Sequence, residues 1–277
     1  MTPRRATPAS SAHDLLTTLG RLTAEALNRA ELQKARVDLA VALQSQLLPP
    51  ALPSGPRWRS AARYAPARDG LDVGGDWYDG FRLPDGALGF SIGDVQGHDV
   101  EAAAFMGQIR IALRAVAVTT ADPGEALSRA NDLLLSMDCD LFATCTFVRF
   151  DPATLELADA RAGHVPAVWA TVDDCCGVDV CGKGLPLGIQ PGEVYPVSRR
   201  RLTKPGAYVL LTDGVIEGPS FPIEAGLQRV TELVRAGAGG DPDQLAAEVI
   251  KVADLTGHSD DAAVLVLRHD ATADVAA

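Results

Sequence analysis

Apolar positions change their period several times along this chain, and each change marks an element. Over residues 13–48 there is no proline and one glycine, and Leu15, Leu19, Leu22 and Ala26 recur at spacings of 4, 3 and 4, the period of a helical seam. The seam meets Arg29, Gln33 and Arg36 and resumes in another register at Leu39, Leu43 and Leu47, so one continuous coiled coil is not expected. With few residues before it to bury its apolar face, this helix is expected to pair with a second copy of the chain or to receive an activating protein. Packing on its own domain is the plainer alternative. Pro49-Pro50 ends it, because proline removes a backbone donor and clashes with the preceding turn.

Beyond Pro53 the texture becomes that of short strands, at 57–66, 77–83 and 87–95, the last two joined by a turn at Pro84-Asp85-Gly86. A helix follows over 99–118 with Ala102, Phe105, Met106, Ile109 and Leu113 on one face, and a second over 122–137 with Pro123 in its first turn, where a missing N–H does no harm. Strands are expected at 143–150, 155–161, 167–172, 194–202 and 208–212, then helices at 224–236 and 242–255, then a closing strand at 262–268. Strands in consecutive runs, rather than alternating singly with helices, predict an α+β fold of mainly antiparallel sheets with helices outside. The chain accordingly divides into a disordered start (1–12), a helical regulatory or dimerisation linker (13–53), one large domain (54–270) and a flexible end (271–277).

Charge narrows the function. The net charge is −11, with no basic block beyond Arg199-Arg200-Arg201 and Arg4-Arg5, which disfavours a nucleic-acid partner. The same field repels a phosphate substrate, unless bound cations reverse its sign locally. No apolar run approaches the roughly 18 residues of a membrane span, and the Pro-, Ser- and Thr-rich start lacks the apolar core of a signal peptide. Five cysteines, Cys139, Cys145, Cys175, Cys176 and Cys181, are an odd number without paired spacing, so the chain reads as cytosolic and reduced. Cys175, Cys176 and Cys181 cluster but lack a fourth ligand of suitable spacing for zinc, and loop thiols are expected.

The candidate chemistry lies in aspartates at strand ends. Asp76 follows Gly74-Gly75, Asp94 closes an apolar strand, Asp213 follows Tyr208–Thr212 and precedes Gly214, and Asp260-Asp261 stand before the closing strand. Any one of these is explained by an ordinary Asp-Gly turn. Several carboxylates at one sheet edge, however, would repel one another unless cations sat between them. Hard divalent cations take such oxygen ligands, and Gly74, Gly75, Gly93, Gly97 and Gly214 would let the backbone turn closely around them.

Gly74-Gly75-Asp76-Trp77-Tyr78-Asp79, Ile92-Gly93-Asp94-Val95-Gln96-Gly97-His98, Ala162-Gly163-His164, Leu185-Pro186-Leu187-Gly188, Leu211-Thr212-Asp213-Gly214-Val215-Ile216-Glu217 and Asp260-Asp261 together resemble the ordered motifs of the SpoIIE/RsbU-type phosphatases, the bacterial branch of the metal-dependent protein phosphatase 2C superfamily. The resemblance runs over residues 44–268, and Gln44–Pro49 is similar to the linker that joins such domains to upstream regulatory segments. It implies an αββα sandwich with two Mn²⁺ or Mg²⁺ ions between the sheets, hydrolysing phosphoserine or phosphothreonine with an activated water. On this resemblance Asp94 bridges both ions, the Val95 carbonyl contributes to one, Asp213 and Asp260 hold the other, and Asp76 positions the water. Asp261 is the lesser candidate of its pair. Four ionised carboxylates balanced by two divalent cations would remove the local repulsion of phosphate. The resemblance further implies a phosphorylated STAS-domain anti-anti-sigma protein as substrate, in sigma-factor regulation. Asp99 stands where the family carries glycine, and His98 lies two positions beyond the proposed acid histidine of eukaryotic relatives, so it is given no role.

Rival readings are weaker. Gly89-Phe90-Ser91-Ile92-Gly93 matches a nucleophile elbow, with Asp213 and His258 downstream, but an elbow needs a sharp turn into a helix after the serine, whereas Ser91 sits inside an apolar strand. His98-Asp99 lacks the upstream histidine of an HD-type phosphohydrolase. A catalytically silent phosphoprotein-binding module of the same fold is the remaining alternative. His164 reads as a turn histidine satisfied by backbone, Trp77 and Tyr78 as packing residues, and Arg199–Arg201 as a solvated strand face.

Overall fold

The computed structural model describes residues 12–66, 74–97, 100–137, 140–219, 221–257 and 260–270; the expectations for residues 1–11 and 271–277, and for His98, Asp99, Cys139 and His258, fall outside them. The elements are α1 (Ala12–Leu47), β1 (Trp58–Ala65), β2 (Trp77–Arg82), β3 (Leu88–Val95), α2 (Val100–Ala117), α3 (Pro123–Leu135), β4 (Ala143–Asp151), β5 (Glu156–Ala162), β6 (Val168–Thr171), β7 (Cys176–Val178), β8 (Lys183–Gly184), β9 (Val197–Arg201), β10 (Gly206–Leu211), α4 (Ile223–Gly237), α5 (Pro242–Val249), α6 (Val252–Thr256) and β11 (Ala262–His269). Two sheets face each other. One has the order β1-β11-β10-β6-β7; the other has the order β2-β3-β4-β5-β8, with β9 also paired to β5. All pairings are antiparallel except the short β5–β8 contact.

Strands with apolar residues on both faces are expected to be covered on both, and β11 shows how. Ala263, Leu265 and Leu267 point between the sheets, where they meet Leu88, Phe90 and Ile92 of β3. Ala262, Val264 and Val266 point outward to Val230 and Val234 of α4 and Leu245 and Val249 of α5. On the other side Trp77, Cys145 and Phe147 are covered by Phe105, Met106, Ile109 and Leu113 of α2 and Leu127 and Leu134 of α3. Three apolar layers between four layers of backbone make the αββα sandwich. Local signals hold at the joints: Asp122 caps α3 by accepting from the Glu125 amide at 3.0 Å, and Asp85 accepts from the Ala87 amide at 3.1 Å in the β2–β3 turn.

Some elements differ from the sequence expectation. The strand expected at 194–202 begins only at Val197, after Pro196, because Tyr195 turns into the core beneath α3. The helix expected at 242–255 is divided, since Ala253 and Asp254 bond back to Ile250 and Lys251, a tighter i→i−3 turn than an α-helix makes. Alternation along β9 also corrects the reading of the arginines: Arg199 is exposed and pairs with Asp122 and Glu156. Arg200 turns inward instead, pairs with Asp179 and lies 5.3 Å over the Tyr208 ring.

Two further features bear on function. Asp79 on β2 is fully buried and receives Arg114 Nε and Nη2 of α2 at 2.5 and 2.6 Å, with the Gly80 amide at 2.9 Å, so α2 is locked to the strand that follows Asp76. Helix α1, of 36 residues and about 54 Å at 1.5 Å per residue, leaves Leu15, Leu16, Leu19, Leu22, Leu27 and Leu32 exposed. Its C-terminal end meets the sandwich, through Leu47 against Ala103 of α2. No helix among the described residues is long and apolar enough to cross a membrane.

Candidate functional site

Antiparallel pairing decides which strand ends meet. The start of β2 lies beside the end of β3, Trp77 opposite Gly93, and the end of β10 lies beside the start of β11, Leu211 opposite Val264. Asp76 and Asp94 therefore stand at the rim of one sheet, and Asp213, Asp260 and Asp261 at the rim of the other. Their mutual electrostatic influence places the five around one end of the inter-sheet gap. Asp76 and Asp261 are buried, Asp94 and Asp213 half-buried, and Asp260 exposed.

This crowding is expressed in the carboxyl acidities. Burial, then Asp94 and Asp261, hold the Asp76 carboxyl well above the usual range. Burial, then Asp213 and Asp260, push Asp94 up to about 8, and burial with Asp260 raises Asp213. Neighbouring carboxylates without a counter-charge cannot all ionise, and Asp76 and Asp94 lie close enough to perturb each other. Accordingly, no three His, Cys, Asp or Glu side chains among the described residues form a ready metal cage. The donor set nevertheless fits hard divalent cations: it is all oxygen, anionic and mutually repelling. A backbone carbonyl is open to it as well. Gly75 O accepts from the Val95 amide at 3.3 Å, and a Cβ on Gly75 would lie 2.4 Å from the Val95 carbonyl oxygen, so only glycine leaves that oxygen approachable.

Two supporting residues were not legible as such in the sequence. Thr212, fully buried, accepts from the Ala263 amide at 2.8 Å and donates to Asp76 Oδ2 at 2.7 Å. Because the hydroxyl oxygen is already receiving a proton from Ala263, its own proton is aimed at Asp76. Tyr64 of β1 hydrogen-bonds Asp261, which assigns the buried Asp261 to the wall and leaves the exposed Asp260 toward the opening. Thr212 lay within a quoted motif without a role; Tyr64 carried no signal at all. Replacing Thr212 with valine leaves a buried amide and Asp76 Oδ2 unpartnered, and a loss of about 1–3 kcal/mol is expected, read as a lower midpoint in urea unfolding.

The remaining candidates separate from this cluster. Ser91 is buried within β3, accepts a hydrogen bond from Trp77 Nε1 at 3.2 Å and is followed by strand, so it is no nucleophile elbow. Cys175, Cys176 and Cys181 are exposed free thiols. His164 is buried, and burial lowers its imidazole to about 3, so it is neutral across the physiological range.

A family described as Stage II sporulation protein E (SpoIIE) matches residues 84–270. The chain belongs to the SpoIIE family. The SpoIIE match includes Asp94, Asp213, Asp260 and Asp261, while Asp76 lies just ahead of it. The chain is 28% identical over 278 residues to Protein IcfG of Synechocystis sp. (strain ATCC 27184 / PCC 6803 / Kazusa), covering 90% of this chain and 42% of that protein. It is 28% identical over 185 residues to Phosphoserine phosphatase RsbU of Bacillus subtilis (strain 168), covering 66% of this chain and 54% of that protein. It thus spans about half the length of these two relatives. Among solved structures, the RsbU and RsbW domains of Rv1364c from Mycobacterium tuberculosis superpose with a TM-score of 0.73 at 32% identity, over 82% of this chain and 64% of that one.

Proposed function

We propose that this chain is a protein phosphatase that hydrolyses phosphoserine or phosphothreonine with the help of two divalent cations, Mn²⁺ or Mg²⁺. The observation that carries the reading is the gathering of Asp76, Asp94, Asp213 and Asp260 from four separate strand ends, where burial and neighbouring carboxylates raise the carboxyls of Asp76, Asp94 and Asp213. Similarity to a phosphoserine phosphatase supports it. The same fold in the catalytic domain of the serine threonine protein phosphatase PstP was solved with 2 manganese ions, at 16% identity, a likeness of fold.

Asp94, Asp213, Asp260 and the Val95 carbonyl would hold the cations. When bound, the cations supply positive charge for the phosphate oxygens and acidify a water to serve as nucleophile. The chain's own part is orientation. Asp76, with Oδ2 held by the Thr212 hydroxyl, would position the water. The Asp79–Arg114 lock holds β2, and hence Asp76, against α2.

Phosphate release from a phosphoserine peptide tests this. Turnover is expected with Mn²⁺ and none after chelation; activity that survives chelation would refute the metal-dependent reading. Binding of Mn²⁺ without turnover on any phosphopeptide would leave a silent binding module. As substrate we propose a phosphorylated STAS-domain anti-anti-sigma protein, in keeping with the likeness to RsbU; failure to dephosphorylate its cognate phospho-STAS protein would remove it. Exposed leucines along α1 support the proposal that this helix pairs with a second copy or receives an activating protein. Removing residues 1–48 is then expected to change the number of chains per particle in solution or the activity, and no change in either would end that idea.

A further inference from the structure

Behind the carboxylates lies a buried imidazole that the proposed chemistry does not use. Gly163, at φ +66°, turns the chain out of β5, and a Cβ there would stand 2.6 Å from Pro186, so a side chain is excluded on both counts. The turn delivers His164 into the interior, 5% exposed. Its backbone is held from the side: Arg161 donates through Nη1 to the His164 carbonyl at 3.3 Å, and through Nη2 to the Val180 and Cys181 carbonyls at 3.1 and 3.3 Å.

The ring touches both sheets. Nδ1 lies 2.7 Å from Thr144 Oγ1, and Thr144 of β4 is the cross-strand partner of Asp94. The Leu211 carbonyl, at the end of β10 and two residues before Asp213, lies near enough to influence the imidazole. Nε2 has no partner at full hydrogen-bond geometry. A carbonyl only accepts, so the ring proton belongs on Nε2, and Nδ1 accepts from the Thr144 hydroxyl. A half-satisfied polar ring inside an apolar layer is unfavourable on its own account. Both of its contacts are to immediate supports of the carboxylate cluster, one in each sheet.

We propose that His164 is a positioning residue, a neutral brace across the sandwich that sets the spacing of Asp94 and Asp213 and thereby the affinity of the site for its divalent cation. The proposal rests on the metal-dependent reading above. Groups that hold metal-ligating side chains in place typically govern affinity by about 10–100-fold, and the brace is expected to act in that range. A histidine that stays neutral across the physiological range is expected to act on cation affinity without shaping the pH profile.

The test is Mn²⁺ binding to the full chain, measured by calorimetry with the metal alone, beside metal-free thermal unfolding and the pH profile of Mn²⁺-supported turnover. His164→Ala and the nearly isosteric Thr144→Val are each expected to weaken Mn²⁺ binding about 10-fold or more. The double variant should be no weaker than His164→Ala, because both changes break one link. His164→Gln, whose carbonyl can accept from Thr144 and whose amide can donate to Leu211, should recover most of the affinity, and the pH profile should keep its shape in all variants. Mn²⁺ affinity unchanged in Thr144→Val and His164→Ala, whatever happens to the melting temperature, would overturn the brace alone. Strictly additive losses, or a displaced pH optimum, would also overturn it. A wild-type chain that binds no Mn²⁺ would sink the metal-dependent reading and this inference with it.

Discussion

Asparagine at Asp94 or Asp213 is expected to reduce phosphatase turnover by at least about 10³-fold, some 4 kcal/mol of lost transition-state stabilisation, and at the same time to make the metal-free protein more stable. The two effects share one cause. In the sandwich Asp94 faces Asp213 and Asp260 without a counter-charge, so a neutral amide relieves repulsion while removing an anionic ligand. An ordinary structural aspartate would behave in the opposite way, losing stability and sparing turnover. Asp173→Asn, on an exposed loop where Asp173 pairs with Lys204, serves as a control expected to leave turnover unchanged. Turnover assays with Mn²⁺ and thermal unfolding without it decide the matter; an active Asp94→Asn enzyme would remove the carboxylates from the mechanism.

The metal-free protein is further expected to lose stability as pH rises from about 6.5 to 8. Asp94 in the folded chain holds its proton up to about 8, whereas the unfolded carboxyl releases it near 3.8. Between those values the folded state binds more protons, so stability falls with rising pH. His164 and His269 act with the opposite sign. Burial lowers them to about 3 and about 4, so their contribution is complete above the ordinary histidine value near 6.5 and is lost below it. The two slopes oppose one another in the acid range, and only the carboxyl slope remains above 6.5. One proton over that window is worth about 2 kcal/mol. The melting temperature of metal-free protein should therefore decline from pH 6.5 toward pH 8. Saturating Mn²⁺ should abolish the decline, since the cation replaces the shared proton. A flat metal-free curve above pH 6.5 would show that the carboxylates are not coupled.

Much of the architecture was legible because it is written locally. The apolar stretches that become β3 and β11, the one-sided face of α2, and the turn at Pro84-Asp85-Gly86 each carry their own period or turn chemistry. Where the chain is short of such signals the reading fell behind. The three residues of β7 and the two of β8 are too few to establish a period. The inward turn of Arg200 depends on which face of β9 meets Tyr208, a property of the sheet rather than of three consecutive arginines.

The candidate site divides in the same way. From the sequence alone came the aspartates at strand ends, the flanking glycines and the order of the motifs. These are properties of neighbouring residues, and they suffice to mark a family. Partnerships belong to the tertiary structure: Thr212 to Asp76 across 136 residues, Tyr64 to Asp261, Arg114 to Asp79, and His164 to Thr144. No local propensity encodes them, because a hydroxyl, a ring or a guanidinium is equally content in water. Only the closing of two sheets withdraws the water and makes each of these groups choose a partner.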